Sequence, residues 1–347
     1  MKKSTMSLFM FIMTALFALI LGACSSNDAS KPSDDKKQAP SDSQYPINIK
    51  HALGTTTIEK KPQRVATISW GNQDVALALG TVPVGFSAAN YGIKDNDSGM
   101  LPWTQQKAAE LGEKNPTIYQ DTDGLDFEAI ADSQPDVILA AYSGLTQEEY
   151  DKLREIAPVV AYQQQPWVTS WREMIKYNAM AMGMEKEGEQ LIMDTEKTIQ
   201  KAVKKYPTIQ GKKAAFVAFD TKDFSKFYVY TTADPRGEML EELGMKYPAS
   251  IQEQVKDEAS FYIELSAENA DTLSDAEIFV TYGDATTLKA LQKDPILGKV
   301  PAIKAGNVVV IEDNTPLAAA GTPSPLSIPY TIDEYVAKIS KVAENIQ

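Results

Sequence analysis

Aromatic and guanidinium side chains gather in this sequence just after the runs that read as β-strands. Trp70 and Asn72 follow the run at 65–69, Tyr91 follows 82–86, and Trp103 lies in the loop beyond it. Tyr142 and Ser143 follow 136–141, while Trp167, Trp171 and Arg172 follow 159–162. Further along, Tyr230 and Arg236, then Tyr282, then Asn314 close or follow three more such runs. Open α/β sheets bind ligands in the crevice at the carboxyl ends of their strands. Aromatic faces stack on flat ligand bodies, and arginine offers planar, always-charged donors to anionic oxygens. Only four arginines stand against thirty lysines, so two of them at strand ends are notable. The candidate ligand-binding residues are therefore Trp70, Tyr91, Trp103, Tyr142, Trp171, Arg172, Tyr230, Arg236 and Tyr282. The competing role for each aromatic is core packing, and Trp171 can equally begin a helix and face the core. Arg64 reads as structural at the start of the first strand, and Arg154 as solvated.

The same inventory leaves little for catalysis. His51 is the only histidine, near the start of the folded part, so no Ser-His-Asp arrangement is available. No P-loop or metal-hydrolase spacing is present. Asp220 and Asp223 are a carboxylate pair, but nothing puts them on facing elements as a glycosidase requires. A receptor for bare Zn²⁺ or Mn²⁺ needs clustered histidines and carboxylates, which one histidine cannot supply.

The elements that must position these residues alternate between β-branched apolar runs and helical patterns, the signature of α/β architecture with mainly parallel strands. No GxGxxG follows any strand, so a dinucleotide fold has no support. Between 167 and 206 the rhythm breaks: proline is absent and apolar positions recur at three- and four-residue steps. That pattern predicts one unusually long helix, with Gly183 as its point of interruption. About 35 helical residues would reach roughly 50 Å, which suits a brace between lobes. The expected organisation is an N-terminal lobe at 46–166, the long helix at 167–206 and a C-terminal lobe at 207–347.

Ahead of the lobes, Lys2 and Lys3 precede an uncharged apolar run at 6–21 that is too short for a comfortable membrane span. Residues 1–23 therefore read as a signal peptide. Leu21-Gly22-Ala23-Cys24 is similar to a bacterial lipobox, which implies cleavage before Cys24 and a diacylated or triacylated cysteine. Cys24 is the only cysteine, and lipidation explains its position where an incidental thiol does not. Two or more acyl chains anchor stably. Residues 24–45 are polar and rich in Ser, Asp, Lys and Pro, so a disordered tether is expected. The formal charge of −13 becomes more negative once both leader lysines are removed, which argues against nucleic acid and anionic lipid surfaces.

Three ordered motifs carry a family resemblance. Pro62-Gln63-Arg64-Val65 leads into Ser69-Trp70-Gly71-Asn72-Gln73-Asp74 and Ala78-Leu79-Gly80-Thr81-Val82-Pro83-Val84-Gly85. Asp126-Phe127-Glu128-Ala129-Ile130 precedes Gln134-Pro135-Asp136-Val137-Ile138, and Asp294-Pro295-Ile296-Leu297 leads through Val300-Pro301-Ala302-Ile303 to Val308-Val309-Val310-Ile311. Together they resemble the iron-complex solute-binding proteins of ABC importers over nearly all of the chain after the tether, and most closely the ferric-siderophore receptors, including those for catecholates such as enterobactin. The resemblance implies the class III architecture, two α/β lobes joined by one long α-helix, with a ferric siderophore in the cleft between them. It implies a monomer that hands its cargo to an ABC permease and its ATPase, with Glu128 and Glu268 docking on permease arginines. No cofactor is implied beyond the lipid on Cys24, and iron would be held through the siderophore. A haem or cobalamin receptor of the same architecture is the alternative, and a cell-surface hydrolase or structural lipoprotein the alternative from another class.

Overall fold

The computed structural model describes residues 44–93, 98–121 and 123–346. The expected signal peptide, Cys24 and all but the last two residues of the expected tether lie outside these. A hairpin of β1 (Ile47–His51) and antiparallel β2 (Gly54–Ile58) comes first. The N-lobe sheet then holds β3 (Val65–Thr67), β4 (Gly85–Ser87), β5 (Ile118–Tyr119), β6 (Val137–Leu139) and β7 (Val159–Val160). All five are parallel, in the order β5-β4-β3-β6-β7. Each is followed by its own helix: α1 (Asn72–Ala78), α2 (Pro102–Glu110), α3 (Phe127–Asp132), α4 (Gln147–Leu153) and α5 (Trp171–Ala181). Helices cover the strands, and β3, β4, β6 and β7 are buried throughout, which is why they read as continuous apolar runs.

Helix α6 (Glu185–Lys204) leads to the C-lobe sheet of β8 (Ala214–Phe219), β9 (Lys226–Tyr230), β10 (Tyr262–Ser266), β11 (Ile278–Gly283) and β12 (Val308–Glu312). Their order is β10-β9-β8-β11-β12. Strands β8, β11 and β12 are parallel, whereas β9 and β10 run antiparallel at one edge. The turn at 220–225 is too short for a crossover, so β9 must reverse on β8. Helices α7 (Pro235–Glu242), α8 (Ala249–Gln252), α9 (Thr287–Lys293), α10 (Pro301–Ala305), α11 (Pro316–Ala319) and α12 (Ser327–Ala343) complete this lobe, with a 3₁₀ helix at Ala267–Asp275.

Residues 167–206 differ from the continuous helix expected. Helix α5 ends in a Schellman turn: Met184 N–H donates to Ala179 O, Gly183 N–H donates to Met180 O, and Gly183 has φ +65°. Helix α6 then doubles back along α5, so that Gly188 lies against Ala179 and Glu196 meets Arg172. The helix joining the lobes is α6 alone, 20 residues and about 30 Å long. Helix α5 packs on α1, β1, β6 and β7 within the N-lobe, and α6 packs on α12 of the C-lobe. One apolar cluster runs through the seam, joining Val75, Trp171, Met174 and Ile175 to Ile199, Phe216, Val280, Ile332 and Val336. Among the described residues no helix is long and apolar enough to cross a membrane.

Candidate functional site: the interlobe cleft

Strand order reverses in the N-lobe sheet between β3 and β6, the position where a doubly wound sheet opens a crevice beyond its carboxyl ends. A cleft of about 810 Å³ lies there. Its N-lobe wall comes from Ser69 and Trp70 after β3, Ser87, Asn90 and Tyr91 at and after β4, and Asp121 and Leu125 after β5. Tyr142 and Gly144 after β6, Leu145 and Glu149 beyond them, and Trp167 after β7 continue it. The C-lobe wall is Arg236, Phe261, Tyr282, Ala318, Ala319 and Thr322. Trp167 adopts φ +63° and Ser69 φ +64°, and such a backbone is costly for a bulky residue. The strain aims the indole across Gly144, where a Cβ would stand 2.4 Å from Trp167 Nε1. Its ring meets Tyr142 edge-on at 5.4 Å.

Arg236 supplies the cationic group. It begins α7, whose N-cap Asp234 is 1% exposed. Asp234 accepts from Arg236 Nε and Nη2 at 2.7 Å each, and the guanidinium lies 3.9 Å above the Tyr230 ring. The Asp234 carboxylate beside it outweighs burial and raises the Arg236 pKa well above its ordinary value. Two of its five N–H donors are spent on Asp234, which fixes the plane in which the others are offered. Tyr282 donates to Ala318 O at 3.1 Å and meets Tyr91 edge-on from the other lobe at 6.4 Å. Tyr91 donates to Asp313 Oδ1 at 2.5 Å, and Gly92 N–H to Asn314 Oδ1 at 2.7 Å. These two bonds tie the lobes along one edge of the cleft.

Trp70, Tyr91, Tyr142, Arg236 and Tyr282 are thus brought together, as is Trp167. The other nominated residues stand elsewhere. Trp103 is 4% exposed and its Nε1–H donates to Asp74; helix α2 turns the indole into the seam instead of the cleft. Trp171 is 1% exposed and donates to Glu242. Arg172 stacks on Trp171 and pairs with Glu196 of α6 and Glu242 of α7, so it braces the lobes from outside the cleft lining. Tyr230 supports Arg236 from beneath, outside the lining. Asn72 is buried, donating to Ile68 O and Tyr142 O. Ser143 is buried behind the wall, and Asn314 serves the interlobe tie. His51 is buried at the end of β1 against Thr56.

Asp121, Ser87, Asn90, Glu149, Phe261 and Thr322 line the cleft but were not anticipated from the sequence. Asp121 follows β5, a two-residue strand with no periodicity to read. Ser87 is the last residue of β4 and obeys the same strand-end rule that found the aromatics.

Glu128 and Glu268 are both exposed. Glu128 lies in the first turn of α3, capped by Asp126. Glu268 lies in the first turn of the 3₁₀ helix that follows β10. Ser266 ends β10 opposite Lys226, one step from the Phe227–Phe219 pair that ends β8. Neither carboxylate is in an ion pair among the described residues.

Comparison with known proteins places this geometry. The chain is 54% identical to Streptococcus pneumoniae TIGR4 PiaA in complex with ferrichrome, with TM-score 0.84 over 87% of this chain and 100% of that one. Staphylococcus aureus SirA complexed with staphyloferrin B is 28% identical, with TM-score 0.63 over 84% of this chain and 98% of that one. The ferric enterobactin-binding periplasmic protein FepB of Escherichia coli O6:H1 is 25% identical, over 78% of this chain and 85% of its own length. The family profile of periplasmic binding proteins matches residues 65–315. A match of that extent, laid over a two-lobed fold with its cleft at the strand ends, shows that the chain belongs to the periplasmic binding protein family.

Proposed function

We propose that this chain is a lipid-anchored extracytoplasmic receptor that captures a ferric siderophore between its lobes and delivers it to an ABC importer. The observation that carries the reading is the cleft itself. Its volume suits a small organic complex, aromatic faces line both walls, and Arg236 is held by Asp234 so that its remaining donors are fixed in direction. The likeness to the ferrichrome-bound relative makes a hydroxamate complex the first cargo to test. The lipobox-like Leu21–Cys24 segment supports attachment through Cys24, and Glu128 and Glu268 are the docking residues for the permease.

Titration of the purified chain with ferric hydroxamate, catecholate and citrate complexes should quench tryptophan fluorescence saturably, because Trp70 and Trp167 line the cleft. If all three leave the signal unchanged while haem or cobalamin quenches it, the siderophore reading is wrong. Arg236→Lys keeps a cation beside Asp234 but loses the two-pronged geometry. It should weaken the bound complex about tenfold, the loss of roughly one charge-assisted hydrogen bond.

A further inference from the structure

Three charged side chains line the cleft among the described residues: Arg236, Glu149 and Asp121. Their states differ. Arg236 is already neutralised by Asp234 through two hydrogen bonds. Glu149 is committed to its own helix, where one oxygen accepts from both the N–H and the hydroxyl of Thr146 at 2.8 Å. Asp121 is held by a strand end instead. Its Oδ2 accepts from the Ser87 hydroxyl, and that hydroxyl oxygen accepts from Ser69 N–H at 2.8 Å. Its Oδ1 has no side-chain partner among the described residues. Glu149 likewise engages only Oε2; what sets Asp121 apart among the described residues is that Ser87 and Ser69, at the ends of the central strands, hold it on the wall where the cleft opens.

The geometry points to Asp121 as the residue that selects cargo by charge: it accepts an N–H or O–H from the organic shell of the ferric complex and disfavours complexes with net negative charge. This rests on the reading of the cleft as a siderophore site. The lining charges sum to a net negative, and more so with Asp234 behind Arg236. Trp70, Tyr142, Trp167 and Phe261 surround them, and low-polarity walls leave such charges poorly screened. A neutral ferric tris-hydroxamate meets no repulsion there, whereas a ferric tris-catecholate, strongly anionic, does. Burial, with Asp126 adding to it, raises the Asp121 pKa above its ordinary value, as expected where carboxylates crowd a half-buried wall.

The test compares the full-length wild type with Asp121→Asn, which keeps the shape and a carbonyl acceptor but no charge. Affinities are measured for one neutral tris-hydroxamate and one anionic tris-catecholate complex. The wild type is expected to favour the neutral complex, and Asp121→Asn to narrow that preference about tenfold or more. Asp121→Ser, a small polar substitution in a loop, provides the same readout should the amide disturb folding. An unchanged preference in a folded variant overturns the assignment of Asp121. Absence of binding by any ferric complex to the wild type overturns the siderophore reading instead.

Discussion

Asp74 sits in the seam between the lobes and accepts from Trp103 Nε1–H at 2.8 Å, the Thr104 hydroxyl at 2.7 Å and the Ser324 hydroxyl at 2.5 Å. Burial outweighs those three donors and raises its pKa from 3.8 to about 6. The folded state thus holds this proton more tightly than the unfolded chain does. The stability contributed is complete below about pH 4 and is lost as pH rises through about 6. A shift of that size corresponds to on the order of 3 kcal/mol. Against an Asp74→Asn reference, the melting temperature of the wild type should fall between pH 4 and 7; parallel profiles would refute the assignment. Asp74 belongs to one of the motifs that carried the resemblance, yet its partners stand 29 to 250 residues away in sequence, which no local pattern announces. The same limit explains Trp103. A strand-end rule finds the segment, but which way the side chain turns is decided by the acceptor it meets, and here Asp74 draws the indole into the seam.

Helices α5 and α6 show what periodicity reveals about an element and what it conceals. The apolar steps from Met174 to Val203 identified helix correctly, but two antiparallel helices burying facing stripes produce the same steps as one long rod. The reversal was legible in one place, Gly183, which a Schellman turn requires in the left-handed region. Gly188 then permits the close approach: a Cβ there would lie 2.5 Å from Ala179 Cβ. Replacing Gly188 with Leu improves helix propensity by nearly 1 kcal/mol but overpacks the crossing, which typically costs 1–3 kcal/mol. The variant should lose about 1–2 kcal/mol net, read as a lower denaturant midpoint at unchanged slope. A midpoint at or above the wild-type value would mean that the two helices separate freely. The parallel strands were read well because burial on both faces makes them continuous apolar runs, whereas β1, β2 and β5 lack that signal.

At the scale of the whole molecule, the apolar cluster that crosses the seam, the Asp74 bonds and the Tyr91–Asp313 tie hold the two lobes in one arrangement. Opening them widely would expose that cluster to water, so on the function proposed above a permease would meet a receptor whose lobes keep nearly the same separation. On that proposal, docking falls to surface groups whose spacing the seam maintains. Glu128 and Glu268 fit that proposal, one on each lobe, each exposed and each in the first turn of a helix that follows a strand. A carboxylate in the first turn of a helix also contributes about 0.3–1 kcal/mol through the helix dipole, and that alone would make their removal a minor stability loss. Docking makes a different prediction. The double variant Glu128→Ala with Glu268→Ala should bind the ferric complex within about twofold of wild type in a fluorescence titration, since neither residue lines the cleft. Cells carrying it should nevertheless lose most labelled-iron uptake, by about tenfold or more, the scale set by a lost charge pair at each end of an interface. Each single variant should fall between. Uptake at the wild-type rate with both carboxylates gone would show that the permease engages another surface, and lost binding would show that the two residues serve the cleft and not the contact above it.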